Sequence, residues 1–377
     1  MPKKLLYFIT EDWVFCSHRL PLAVAARDSG YDVAVITHVK EHGEKIKKAG
    51  IRIIPFDLDR GSVNPFKALM LIGRLVTLYR REKPDIVHHV AIKPILYGSI
   101  AARFARVPRV VNAITGMGYI FTSRQMKARL LRPVINAAFR LVLNRKNATL
   151  IMQNDEDRQT LVKAGIVKQS RTVLIRGAGV DTSEFAFSKE PAPHPPLVIV
   201  PARVLKDKGI VEFVEAARIL HGRGVHARFI LAGAADEHNH AAVPMDTLNE
   251  WVDSGIVEWW GRKENMPDVL ANCHIVCLPS YREGLPKALL EAASCGRPII
   301  TTDTVGCREV VRDGENGLLV PLFSTTELAD ALQRLIESPE LRCHMGKKGR
   351  NIVEEEFAIE KVISETLAVY SELATTQ

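Results

Sequence analysis

The chain has 377 residues, 47% of them hydrophobic and 25% charged, with a formal net charge of +8. That length accommodates two α/β domains with full cores, and the composition sets aside disordered, collagen-like and small disulfide-framed classes. No uninterrupted apolar run approaches the ~18 residues of a membrane-spanning helix.

Lys3-Lys4 leads straight into a short apolar strand predicted over 5–10, with no signal-peptide cleavage pattern, so a cytoplasmic location is expected. Further strands are predicted over 32–37, 51–56, 85–90, 109–114 and 148–152, with helical segments between them. The first strand runs into Thr10-Glu-Asp-Trp-Val-Phe-Cys-Ser-His-Arg19 without a Gly-x-Gly-x-x-Gly pattern, and Gly177-Ala-Gly179 lacks the third glycine. A dinucleotide-dependent dehydrogenase is therefore not expected, and no P-loop sequence occurs. The Pro-rich stretch Pro191-Ala-Pro-His-Pro-Pro196 separates this half from a second, with strands predicted over 197–201, 227–232, 256–260, 274–278 and 298–301. Mostly apolar strands alternating with helices imply parallel sheets covered on both faces. The expected fold class is α/β, with two Rossmann-like, doubly wound halves. The expected domains are 1–185 and 186–358, followed by 359–377 with a last helix over about 359–374.

The six cysteines are scattered. Cys273 and Cys277 lie in or beside a strand, which points to core packing and reduced thiols. No Cys/His spacing resembles a zinc site, and His238-Asn-His240 reads as a polar loop. Asp57-Leu-Asp59 invites a metal reading, but no metal is expected.

The densest chemical signal is Glu283-Gly-Leu-Pro-Lys-Ala-Leu-Leu-Glu291. Pro286 suits a first helical position and Gly296-Arg297-Pro298 is a stop signal, so a helix is predicted over 286–295. A strand-to-helix turn of an α/β domain offers a free helix N-terminus to anions. At 1.5 Å per residue, the two glutamates stand roughly 12 Å apart along a helix axis, which is the span from a sugar across a diphosphate to a ribose. Upstream, Arg203 and Lys208 fall where the first strand of the second half meets its helix. Cations there oppose the helix dipole unless an anion binds. Preorganised, they would stabilise a bound diphosphate. The plainer alternatives are a solvated Arg/Lys pair, a dipole-favoured acid at Glu283 and a surface glutamate at Glu291.

Glu283-x7-Glu291 in its setting Leu278-Pro-Ser-Tyr-Arg-Glu-Gly-Leu-Pro286 resembles the donor-site signature of family 4 retaining glycosyltransferases. Pro201-Ala-Arg203-Val-Leu-Lys-Asp-Lys208-Gly209 and Gly179-Val-Asp-Thr-Ser-Glu-Phe185 resemble two further segments of that family. The resemblance extends over essentially the whole chain. It implies the GT-B architecture, two Rossmann-like domains facing a cleft, with the last helix crossing back to the first domain. It implies a UDP-sugar as donor substrate, with no cofactor and no metal. By the same resemblance, Arg203 and Lys208 meet the leaving group, Glu283 the donor sugar and Glu291 the ribose hydroxyls. Gly284, Leu285 and Pro286 would offer backbone groups to the diphosphate and sugar, Gly261 and Arg262 would meet the base, and Gly233 lies close by.

In the first half, Ser17-His18-Arg19-Leu20-Pro21 resembles a turn shared by bacterial enzymes that extend lipid-linked sugars. His88-His89 ends the fourth strand and Lys93 begins the next helix. Adjacent strand residues point oppositely, so at most one of the two histidines faces a ligand and the other packs in the core. Thr115-Gly116-Met-Gly118 follows the fifth strand and could approach donor or acceptor phosphates closely; many family members carry His-Gly here, so no role passes from that histidine to Thr115. Charge is uneven: residues 1–185 hold 31 basic and 15 acidic side chains, a net of +16, and residues 186–377 a net of −8. Ile86–Asn154 contains eleven Lys/Arg and no acid. Arg129, Arg132, Asn136 and Arg140 share one helical face, with Leu130, Val134, Ala138 and Leu141 away from it and Pro133 available to kink the helix. This reads as a basic amphipathic helix for an anionic inner-membrane surface, and the alternative is a solvated face. Nucleic acid is not expected. The function implied is retaining transfer of a hexose or N-acetylhexosamine from a UDP-sugar to a polyprenyl-diphosphate-linked glycan. The alternatives are a GT-B nucleotide-sugar epimerase, a soluble acceptor, or a non-enzymatic nucleotide-sugar-binding scaffold.

Overall fold

The computed structural model describes residues 2–58, 64–116, 126–192, 195–236, 239 and 241–375. The chain divides into two units, Met1–Ala178 with Val362–Gln377, and Gly179–Lys361.

The first unit carries seven strands: β1 Lys4–Glu11, β2 Asp32–His38, β3 Arg52–Pro55, β4 Ile86–Val90, β5 Arg109–Ile114, β6 Ala148–Met152 and β7 Thr172–Leu174. They pair in parallel in the order β3-β2-β1-β4-β5-β6-β7. The unbroken apolar run of β1 follows from burial on both faces. Leu5, Tyr7 and Ile9 enter one core with Val33 and Val35, while Leu6 and Phe8 enter another with Ala34, Ile36 and Tyr79. Side chains alternate across a strand, so a sheet covered by helices on both sides needs apolar residues at every position. The last helix, Ile359–Thr375, places Val362, Val369 and Tyr370 in the first of these cores.

The second unit carries β8 Leu197–Val200, β9 Arg228–Leu231, β10 Glu258–Trp259, β11 Ile275–Leu278, β12 Ile299–Thr302 and β13 Gly317–Val320. These also pair in parallel, in the order β10-β9-β8-β11-β12-β13. Cys273 and Cys277 are fully buried in its core, and all six cysteines are free thiols.

Three features differ from the sequence expectations. The boundary at 185/186 moves to 178/179, because the Val180 N–H bonds the Phe357 carbonyl (3.0 Å) and Val180 and Phe185 are buried in the second core. The strands β7 and β13 were not foreseen. The first is three half-buried residues, and the second opens on Gly317, where a Cβ would fall 2.2 Å from the Ile299 carbonyl oxygen. The helix expected over 286–295 spans Lys287–Ser294, with Pro286 as its extended N-cap (φ −75°, ψ 109°) instead of its first helical residue. Among the described residues, no helix is long and apolar enough to cross a membrane.

Candidate active site

Strand order reverses once in each sheet, between β1 and β4 and between β8 and β11. In open α/β sheets the crevice at the carboxyl ends of such strands is where ligands bind. The loops after β8 and β11 therefore define the site of the second unit, and they carry the Arg203–Lys208 and Glu283 segments.

Gly209 ties these loops together. It sits at φ +70°, and a Cβ there would lie 2.1 Å from the Pro279 carbonyl oxygen. Only glycine adopts that conformation at that distance without strain. The short 3₁₀ turn Lys206–Lys208 thus lies against the loop after β11, and the Tyr281 N–H bonds the Asp207 carbonyl at 2.9 Å. The result is direct contact between Lys208 Nζ and Glu283 Oε1 at 2.5 Å, with Ser280 Oγ donating to the same oxygen at 2.8 Å. Gly306, at φ +83°, fixes the other side of the loop, since a Cβ there would fall 2.6 Å from the Glu283 carbonyl oxygen. The side chains of Lys208 and Glu283 keep 22% and 14% of their surface exposed, so the pair is sheltered yet reachable.

Arg203 takes a different partner. Its Nη1 pairs with Asp236 Oδ2 at 2.6 Å, and both side chains are partly exposed. The approach of the two loops is set by Gly233, where a Cβ would lie 1.8 Å from the Ala202 carbonyl oxygen. The Gly233 carbonyl accepts from Trp259 Nε1 at 2.9 Å. Gly261 is a left-handed residue (φ +63°) with open space where a Cβ would stand, and Arg262 beside it is exposed.

Glu291 is not a surface glutamate. Its side chain is 12% exposed and pairs with Lys287 Nζ at 2.7 Å, one turn earlier. Burial pushes its carboxyl above the ordinary glutamate range, with Lys287 opposing and Glu184 adding to the rise. Lys287 also lies 5.6 Å from the centre of the Phe185 ring, so the 179–185 segment and this helix form one wall. Gly284, Leu285 and Pro286 are buried between the two glutamates. Because residues 283–285 precede the helix, the helical rise used to separate the glutamates does not apply to the first part of that span.

The first unit's switch point has another character. His89 is buried, with Nδ1 on Asn112 Oδ1 (2.9 Å) and Nε2 on the Tyr79 hydroxyl (3.1 Å), and burial lowers it to about 4. His88 is also buried, with Nδ1 2.6 Å from the Tyr370 hydroxyl, which in turn lies 3.0 Å from the Tyr7 hydroxyl. Burial, then Arg19 and His89, holds His88 well below the ordinary imidazole range. The structure therefore packs both histidines in the core. Arg19 is 4% exposed, and its Nη1 donates to the His18 carbonyl at 3.2 Å. Lys93, in the first turn of the helix Ile92–Phe104, is half-buried, as are Thr115 and Gly116. Gly118 and the side chain of Arg129 lie outside the described residues.

The helix Met126–Leu143 runs through Pro133 without interruption. Its inward residues are Phe139, Val142 and Leu143, while Val134 and Leu141, at 68% and 76% exposure, lie on the outside with Arg140. This face is mixed apolar and basic rather than a pure basic stripe. Arg140 Nη2 donates to the Ala164 carbonyl at 2.8 Å, at the C-terminus of the helix Asp155–Lys163, a position that favours a cation. Asp57 is exposed and paired with His38 at 2.6 Å, and Asp59 and His238 lie outside the described residues.

The sequence model of the family described as "Glycosyl transferases group 1" matches residues 181–352, and that described as "Glycosyl transferase 4-like" matches residues 4–155. Together they take in both units and every donor-loop residue above. The chain belongs to the glycosyltransferases. It is 29% identical over 341 residues to the N,N'-diacetylbacillosaminyl-diphospho-undecaprenol alpha-1,3-N-acetylgalactosaminyltransferase of Campylobacter jejuni, covering 87% of this chain and 88% of that protein. It is 24% identical over 328 residues to the UDP-Gal:alpha-D-GlcNAc-diphosphoundecaprenol alpha-1,3-galactosyltransferase of Escherichia coli, covering 84% and 82%. In fold it is similar to Anabaena HepE, solved in complex with UDP and glucose, with a TM-score of 0.78 at 17% identity over 98% of this chain and 100% of that one.

Three residues of this glycosyltransferase's site escaped the sequence reading: Ser280, Lys287 and Gly306. Ser280 and Lys287 stood within the quoted motifs, three residues before Glu283 and one after Pro286. Gly306 carries no local signal, because its need for glycine comes from a loop more than twenty residues away in the chain.

Proposed function

We propose that this glycosyltransferase moves a hexose or N-acetylhexosamine, with retention of anomeric configuration, from a UDP-sugar to a sugar carried on a polyprenyl diphosphate. The work is done at the cytoplasmic, anionic face of a membrane to which the protein binds peripherally, without metal. The observation that carries the reading is the contact of Lys208 with Glu283 at the switch point of the second sheet. A glycosyl transfer needs a cation where the diphosphate departs and an anion where the sugar gains positive charge. Two loops hold that pair side by side.

In this reading the bond from the anomeric carbon to the β-phosphate oxygen breaks while the acceptor hydroxyl oxygen bonds the same face of the sugar. The electron pair leaves with the diphosphate, and the acceptor proton passes to the departing phosphate oxygen, giving UDP and a lengthened glycan. Lys208 is shared between Glu283 and the diphosphate, and Arg203 adds a second cation at the mouth of the site. Charge developing there is stabilised more in the transition state than in the ground state. Glu283, still sharing Lys208, faces the oxocarbenium-like sugar. Glu291 binds the ribose hydroxyls, and its partner Lys287 opposes the rise that burial imposes on that carboxyl. The names of the Campylobacter jejuni and Escherichia coli relatives support the lipid-diphosphate acceptor, and UDP in the Anabaena HepE complex supports the donor nucleotide.

A screen of labelled nucleotide sugars against defined lipid diphosphates, with and without membranes, tests the proposal. Transfer to lipid with a retained anomeric linkage by NMR is the expected result. Isomerised donor would make the protein an epimerase, binding without turnover a scaffold, and transfer to soluble acceptors alone would remove the lipid from the reading.

A further inference from the structure

Four arginines converge on the edge of the first sheet that lies opposite its switch point. β5 and β6 begin at Arg109 and Ala148, so residues just before them occupy the amino-terminal edge, away from Thr115 and Lys93. There a depression of about 620 Å³ is lined by Arg80, Arg103, Phe104, Ala105, Arg106 and Arg145. None of the six is acidic. None of the four arginines has an ion-pair partner among the described residues.

The frame around them is built. Arg80 Nη2 donates to the Phe104 carbonyl at 3.1 Å, which joins the end of the helix Pro65–Glu82 to the end of the helix Ile92–Phe104. Asn147 Nδ2 donates to the carbonyls of Val107 (3.1 Å) and Pro108 (2.9 Å), and the Arg145 carbonyl accepts from the Ala148 N–H (3.1 Å). The two loops are therefore pinned to each other and to the sheet. Arg145 Nη1 is enclosed and has no hydrogen-bond acceptor. An enclosed guanidinium N–H without a partner costs about 1–3 kcal/mol, so a site that keeps one is expected to supply an acceptor from elsewhere. Burial, and then Arg103, push the Arg145 guanidinium down, which marks the crowding of like charge. Like charges in a fixed frame repel unless an anion lies among them. The fork of N–H donors on arginine suits phosphate oxygens, and the volume exceeds that of a diphosphate.

We propose that Arg80, Arg103, Arg106 and Arg145 form a second anion site that takes a phosphate or diphosphate group, separate from the donor loops of the other unit. The phosphate comes either from an anionic phospholipid headgroup or from a free phosphate ester.

Inorganic diphosphate is titrated calorimetrically into the full-length protein saturated with UDP, so that binding at the donor loops is already accounted for. A diphosphate-binding event indifferent to UDP is expected in wild type and in Lys208→Ala. Arg145→Gln should weaken it at least about tenfold, the scale of one lost charge-assisted hydrogen bond, and Arg103→Gln with Arg145→Gln should abolish it. Arg145→Lys, which keeps charge and loses the fork, should lie between. Circular dichroism and unchanged UDP affinity identify variants that remain folded. Phosphatidylglycerol vesicles that compete with diphosphate, when phosphatidylcholine vesicles do not, assign the lipid source; diphosphate binding indifferent to both assigns the free ester. The proposal is overturned by no UDP-indifferent binding in wild type, or by binding undiminished in the folded double variant.

Discussion

The two units share one plan and use its switch point differently. Between β1 and β4 the first unit buries Tyr7, His88 and Tyr370 in a hydrogen-bonded group of rings, with His89, Asn112 and Tyr79 in another. Between β8 and β11 the second unit places Lys208 against Glu283, partly exposed, on loops that two glycines hold in register. The first arrangement is uncharged apart from Arg19 and stiffens a core. The second sets opposite charges where solvent and ligand reach them. A Rossmann-like sheet provides the location of a site without deciding its chemistry, and only the side chains at the loops do that.

The sharpest way to break the comparison is to remove a cation from the second switch point. Lys208→Ala or Arg203→Ala should lower kcat by about 10²–10³, the scale for one preorganised electrostatic contact. The fold should persist, because both side chains reach solvent and supply little core. Steady-state kinetics with circular dichroism tests this, and near-normal turnover in a folded Lys208→Ala protein would sink the assignment. Substituting Tyr370 by Phe in the first unit should reduce stability more than it slows chemistry.

Acid acts with opposite sign at His89 and Glu291, while burial also lowers His274 of the second unit. His89 titrates at about 4 in the folded chain against the ordinary 6.5, so it stays neutral while the unfolded chain takes up a proton. The unfolded state then binds more protons, and stability falls as pH drops from about 6.5 towards 4, by up to about 3 kcal/mol from this residue. His88 shifts in the same direction. Glu291 has the opposite sign: its carboxyl is raised, so the folded form protonates first and acidification favours it. Hydrogen exchange between pH 7 and 4.5 should show protection lost in β4 and β5 before β11 and β12. His89→Gln should flatten the pH dependence in the first unit, and equal loss in both units would refute the contrast.

Within the second unit, the glutamates should divide their work. Glu291→Ala should weaken UDP and UDP-sugar binding alike, by about tenfold or more, the scale of hydrogen bonds to a charged group. Glu283→Ala should slow transfer and leave UDP affinity largely intact, because it frees Lys208 for the diphosphate. Calorimetry with UDP on both variants decides, and equal weakening would merge the two roles.

Legibility followed locality. The strands of both sheets and the turn that carries Lys208 could be read because their signals are runs and spacings along the chain. The pairing of Lys208 with Glu283 spans 75 positions and was not foreseen, since the resemblance gave the two residues only separate roles at one site. Gly306 and Gly233 owe their identity to the backbone of distant loops, so no neighbouring residue announces them. β7 is too short for a period to show, and β13 starts on a glycine, a poor strand former chosen for close approach to Ile299. The histidine pair was half read. Alternation puts His88 and His89 on opposite faces, but in a sheet covered on both sides neither face is open. Arg140 looked like one member of a basic stripe, and its bond to the Ala164 carbonyl needed the packing of two helices to be seen.

The smallest expected effect concerns the outer face of the first unit, where Val134 and Leu141 stand exposed in a stretch without acids. If this face meets an anionic membrane, Arg129→Gln with Arg132→Gln should reduce co-sedimentation with phosphatidylglycerol vesicles by about 1 kcal/mol for each charge. Val134→Ser with Leu141→Ser should reduce it independently of salt, because buried apolar area is not screened, whereas the arginine effect should fade as the Debye length shrinks below about 10 Å. Arg140 is left unaltered, since it also holds the Ala164 carbonyl. UDP affinity should not change, because the proposed nucleotide site lies on the other unit, and turnover of a short water-soluble acceptor should suffer less than that of the lipid-linked one. Wild-type protein that ignores anionic vesicles at low salt would make this a solvated face. The difference between the units would then lie in their switch points alone.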